Sequence, residues 1–145
     1  MTDYERRVAG TLELEKRAGG EGQKLVGYAA MFDSLSGDLG GFREQIRSGA
    51  FRNSIRSNSD IRALWNHDAS QVLGRTSAGT LQISEDDRGL RVEVDPPDTQ
   101  AGRDARTSIE RGDVSQMSFA FRVRPGGQQF DENESNEVVR TLTDV

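Results

Sequence analysis

The 16 glycines of this 145-residue chain fall between short segments rather than in one linker, and that spacing limits what the chain can fold into. Between them run stretches in which apolar and polar side chains alternate, the two-residue period of a half-buried strand. The clearest is TLQISEDDRGLRVEVD, Thr80 to Asp95. Leu81 and Ile83 alternate on one arm and Leu90, Val92 and Val94 on the other, with DDRG between, which predicts a hairpin. PPDTQ then stops the second arm, because proline cannot donate to a ladder. RVAGTLELEKR (Arg7 to Arg17) predicts one strand, RAGGEGQ a hairpin turn, and KLVGYAAMF (Lys24 to Phe32) a more buried strand. After the loop DSLSGDLGG, FREQI, DIRALW (Asp60 to Trp65), VSQMSFAFRV (Val114 to Val123) and VVRTLTDV predict further strands. RPGGQQFDENESNE predicts a polar loop or loose hairpin. Two segments have helical spacing. In SGAFRNSIRSN, Ser48 is placed to cap, and Phe51 and Ile55 share a face. DTQAGRDARTSIERG has Asp98 or Thr99 as cap, a stripe of Ala101, Ala105 and Ile109, and Gly112 as its stop. Many short strands with two helices predict a mainly β fold with α: a closed or nearly closed antiparallel β-barrel with a few flanking helices, in one domain over residues 1–145.

The composition narrows the function classes. Charged residues make up 30% of the chain and apolar ones 33%, so the expected core is modest and the surface well solvated. A net charge of −5 argues against nucleic acid or an anionic membrane as partner, since both require excess Lys and Arg. The absence of cysteine removes disulfides, thiolate nucleophiles and Cys-ligated zinc. A single histidine is too few for the usual catalytic zinc set. No cofactor and no metal are expected. No apolar run is long enough to cross a bilayer, and MTDYERRVAG does not have the pattern of a signal peptide. The expectation is a soluble cytoplasmic protein.

Two residues stand out for chemistry. The only histidine, His67, ends the apolar run of ALWNHD. By strand alternation it shares a face with Ile61, Ala63 and Trp65, which suits a core histidine satisfied by its neighbours. A neutral imidazole is equally the group best matched to taking a hydroxyl proton near pH 7. In VSQMSFAFRV, Met117, Phe119, Phe121 and Val123 form one face, and Gln116, Ser118, Ala120 and Arg122 the other. Ser118 lies on the less apolar face beside the small Ala120, with room for a carbonyl carbon. Ser115 falls on the core face by the same parity. On the pattern alone, Ser118 as an ordinary strand serine and Ser118 as a nucleophile both stand.

The ordered set GYAAMF, SGAF, ALWNHD, VLGRT, DDRGLRVEVD, RGDVSQMSFAFRV and RTLTDV resembles the tailed-bacteriophage prohead (capsid maturation) serine proteases, relatives of the herpesvirus assemblins. The resemblance runs from about Val8 to Val145 and implies an assemblin-like fold. It implies His67 as general base and Ser118 as nucleophile in a serine endopeptidase. The implied substrates are the scaffold, or the N-terminal scaffolding segment of the major capsid protein, and the protease itself. The implied location is the host cytoplasm, inside the prohead, and the assemblin likeness implies a homo-oligomer. The third catalytic member is open. Assemblins use a second histidine, which this chain lacks, so an acid or amide must serve: Asp144, Glu137, Asp68, or a Glu beyond the chain end. The resemblance also implies a C-terminal segment past Val145. By position in VLGRT, Arg75 is the candidate for oxyanion stabilisation, with a surface arginine after a turn as the alternative; Arg122 is a weaker candidate, and Asn66 reads as structural. The competing reading is a catalytically inactive, protease-like scaffold or assembly component of the prohead.

Overall fold

The computed structural model describes residues 4–9, 12–16, 23–57 and 60–145. The described residues are mainly β, with two α-helices. The largest sheet has four antiparallel strands in the order β2 (Leu12–Lys16), β3 (Gln23–Met31), β8 (Gly89–Val94) and β7 (Leu81–Glu85). β7 and β8 are the hairpin expected from alternation, with Leu81 opposite Val94 and Ile83 opposite Val92. Leu81, Val92 and Val94 are buried as that pattern requires. β3 is bulged between Tyr28 and Ala30 where it pairs with β8. The chains approach so closely there that a Cβ on Gly89 would lie 2.0 Å from the Ala30 carbonyl oxygen, so only glycine fits.

The expected single strand from Arg7 to Arg17 is instead two. β1 (Glu5–Ala9) pairs with β9 (Met117–Phe121), whereas β2 pairs with β3. Alternation along a segment says which residues share a face, but not that one half joins a different sheet. The turn expected at RAGGEGQ lies outside the described residues, save for Gln23 at the start of β3. A third sheet runs β10 (Gln128–Glu132), β11 (Val138–Leu142) and β4 (Arg43–Ile46). β10 and β11 form a hairpin, but β11 and β4 pair in parallel. A fourth ladder joins β5 (Arg62–Leu64) to β6 (Val72–Arg75). Among the described residues the ladders do not close into the expected barrel, and the parallel β4–β11 pair departs from an all-antiparallel one.

Helix α1 (Arg52–Arg56) starts after Phe51, and no side chain caps it, so Ser48 does not have the expected role. Phe51 is buried and Ile55 packs beside the core, as their spacing predicts. Helix α2 (Gln100–Glu110) is capped by Thr99, whose hydroxyl accepts from the Gly102 N–H at 3.2 Å. Ala105 and Ile109 turn inward, and Gly112, at φ +83°, follows its end. One core gathers residues from the sheets and both helical segments, including Leu25, Phe51, Leu73, Ile109, Phe121 and Leu142.

Candidate active site

Ser118 lies second in β9, between Met117 and Phe119. Phe119 packs edge-on against Phe51 at 5.7 Å and stacks with Phe121 at 5.1 Å. Phe121 is buried. These rings anchor the inner face of β9 in the core, so Ser118, one position from Phe119, is turned to the other face. Ser118 is half-buried and Ala120 exposed. Ser115 is exposed and precedes the strand rather than lying on its core face.

His67 is not on a strand. β5 ends at Leu64, and Trp65–His67 form a 3-10 turn in which Asn66 (φ 53°) and His67 (φ 55°) are both left-handed. Strand alternation therefore fails at this position. The side chain is exposed and is not the core histidine that alternation allowed. Two consecutive left-handed residues other than glycine cost backbone energy, and the surrounding turn must hold them. The Trp65 N–H donates to the Gln71 carbonyl at 3.0 Å, the Asp68 N–H to the Trp65 carbonyl at 3.1 Å, and the Gln71 N–H to the Asp68 carbonyl at 2.9 Å.

The turn delivers the imidazole to β9: His67 Nε2 is hydrogen-bonded to Ser118 Oγ, across 51 residues of sequence. With Nε2 unprotonated, the serine O–H donates to it, which is the geometry for removing that proton as the oxygen attacks a carbonyl. Among the described residues, nothing hydrogen-bonds to Nδ1 of His67.

The three acids considered as orienting groups are engaged elsewhere. Asp68 Oδ1 accepts from the Ser70 N–H at 2.9 Å and the Ser70 hydroxyl at 2.6 Å, and Oδ2 accepts from Gln71 Nε2 at 2.9 Å. Those bonds, the Ser70 hydroxyl first, hold its carboxyl below the usual Asp range. Glu137 accepts from Arg43 Nε at 2.5 Å and is likewise held low, chiefly by that guanidinium. Asp144 accepts from Asn53 Nδ2 at 3.1 Å and lies 3.4 Å from Arg124 Nε. Arg75 is paired with Asp60, its Nε reaching the two carboxylate oxygens at 2.8 and 2.9 Å, and none of its described hydrogen bonds reaches Ser118 or His67. That pairing lowers the Asp60 carboxyl to about 2. Arg122 lies over the Tyr4 ring, 4.0 Å from its centroid.

Residues that the sequence reading did not connect with the site come from β1. The β1–β9 register sets Val8 opposite Ser118 and Arg6 opposite Ala120. Val8 is 71% exposed. Their own alternation shows that Arg6 and Val8 share a face, but the partner strand is a long-range choice that no local pattern records.

A mainly β domain that holds a serine hydroxyl on an imidazole nitrogen has the arrangement that serine hydrolases use. Residues 11–145 match the sequence profile of the caudovirus prohead serine proteases, and the chain belongs to that family. It is a serine peptidase with a role in phage capsid maturation. No curated protein and no solved structure matches it.

Proposed function

We propose that the chain is a serine endopeptidase in which Ser118 is the nucleophile and His67 the general base. The observation that carries this is the hydrogen bond between Ser118 Oγ and His67 Nε2, made by residues that separate elements bring together. Ser118 Oγ attacks the scissile carbonyl carbon while His67 takes its proton. The imidazolium then returns that proton to the leaving amine, and water, deprotonated by His67, releases the acyl group. Family membership supports, as substrates, the scaffold or the N-terminal scaffolding segment of the major capsid protein, and the protease itself, inside the prohead. The test is co-expression with the cognate capsid precursor, read by intact mass. The parent is expected to cut, and Ser118→Ala and His67→Ala to leave the precursor whole. A fluorophosphonate probe is expected to label Ser118 in the parent alone. Cutting that survives in Ser118→Ala refutes the assignment. Entry of an inactive parent into assembling shells would support the scaffold role instead.

A further inference from the structure

We infer that the face carrying Ser118 selects substrates with an acidic side chain a few residues to one side of the scissile bond. The inference rests on Ser118 as nucleophile and names a specificity that this role does not supply. Opposed residues of an antiparallel pair share a face, so the β1–β9 register places Val8, Ser118, Arg6 and Ala120 on one surface. One residue past the ladder, Arg122 and Tyr4 meet through the cation–π contact and extend the row. The exposed row thus has the nucleophile and Val8 at one end, and Arg6, then Arg122, along it. No carboxylate stands in the row. Among the described residues, neither Arg6 nor Arg122 forms an ion pair, whereas Arg7, one position away and on the other face, is bonded to Glu44 at 2.7 Å. The chain as a whole carries a charge of −5, so two arginines without carboxylate partners on the face that carries the nucleophile are a local reversal of sign.

An extended peptide whose scissile carbonyl lies at Ser118 runs past this row. With a rise of about 3.4 Å per residue, Arg6 stands about 7 Å and Arg122 about 14 Å from the serine, the span of two to four substrate residues. A guanidinium offers paired N–H donors matched to a carboxylate, and arginine clusters recognise acidic peptides in this way. Ala120 and Val8 leave the intervening surface low and apolar, suited to the peptide backbone rather than a second charge.

The experiment uses internally quenched peptides that span one site cut in the cognate capsid precursor, made in Asp and Asn versions at each of five positions on either side. The Asp peptide is expected to be cut with a higher kcat/KM than its Asn twin, by about 2- to 5-fold, at positions two to four residues out on one side only. The difference is expected to lie in KM and to shrink as salt is raised. Arg6→Gln and Arg122→Gln together are expected to abolish the Asp preference, and Arg6→Glu to transfer it to a Lys peptide. Equal Asp and Asn rates in the parent, or a preference that survives the double variant, would overturn the proposal. Anisotropy of the same peptides on Ser118→Ala separates the two claims. An Asp preference in binding that depends on the arginines supports this surface, whatever that variant's effect on cutting.

Discussion

At the scale of single residues, His67 and Ser118 were the two side chains that the sequence made prominent, one by being alone of its kind and one by its place on a strand's open face. The roles proposed for them came only from the family resemblance. What sequence parity got wrong was how His67 is held. Consecutive left-handed residues at Asn66 and His67 leave no pattern in the apolar spacing. Asp68, weighed as the orienting acid, instead ties the turn from Trp65 to Gln71 to itself through both carboxylate oxygens and both backbone polar groups. None of its described hydrogen bonds reaches the imidazole, so with His67 as the proposed base the part expected of Asp68 is to position the turn. Asp68→Ala is therefore expected to lower kcat about tenfold with KM little changed, because a base displaced by a fraction of an ångström loses its alignment. Asp68→Asn keeps one acceptor oxygen for the Ser70 N–H and is expected to recover most of that loss. An acid acting directly on the imidazole would fail alike as Asn or Ala, so steady-state kinetics of the two variants decide between the roles.

At the scale of elements, the β7–β8 hairpin, β3 and α2 were legible because each satisfies a local rule: alternation around DDRG, a buried apolar run, and a Thr cap before a narrow stripe. The assignments that failed depend on distant partners, such as β1 leaving β2 for β9 and β11 lying parallel to β4. Gly102 in α2 shows how such a contact overrides a local preference. In an exposed helix interior, Gly→Ala gains about 1 kcal/mol from propensity. Here a Cβ would stand 2.0 Å from the Pro97 carbonyl oxygen, well inside van der Waals contact, and that oxygen is backbone, which cannot swing aside. Gly102→Ala also threatens the Thr99 cap, whose bond ends on the Gly102 N–H. The clash outweighs the propensity gain, because relieving it moves the first turn of the helix or the Pro96–Pro97 segment. Gly102→Ala is expected to lose about 2 kcal/mol by urea unfolding, in the range of overpacking. A stabilised variant would show that the segment gives way freely.

At the scale of the whole molecule, the strand that flanks Ser118 is fastened to the third sheet by charge. Arg7 of β1 donates to Glu44 of β4 at 2.7 and 3.1 Å. Arg140 of β11 donates to Glu5 of β1 at 2.7 and 2.9 Å, to Glu44 at 3.2 Å and to Gln128 at 2.8 Å. Glu44 is 4% and Arg140 7% exposed, and charges so sheltered are tolerable only when paired and hydrogen-bonded. The four charged residues come from positions 5, 7, 44 and 140, so no window of sequence could show the cluster. Its consequence is an acid limit. The Arg140 guanidinium, and to a lesser degree Arg7, hold the Glu5 carboxyl below its ordinary 4.5, against a burial that raises it. A carboxyl depressed in the folded state contributes stability that is fully present above its unfolded value and lost as pH falls through the folded one. Glu5→Gln removes that contribution at every pH. The variant is expected to be less stable than the parent near pH 7, by about 1 kcal/mol for a pair only partly sheltered. The gap should narrow as the pH drops below 4.5, because Glu5 then takes up its proton first in the unfolded chain and, at its lowered value, in the folded parent. Urea midpoints across that range read it directly. A gap independent of pH would mean that Gln at position 5 disturbs the packing of β1 rather than its charge, and the fastening of β1 would then rest on Arg7 and Glu44 alone.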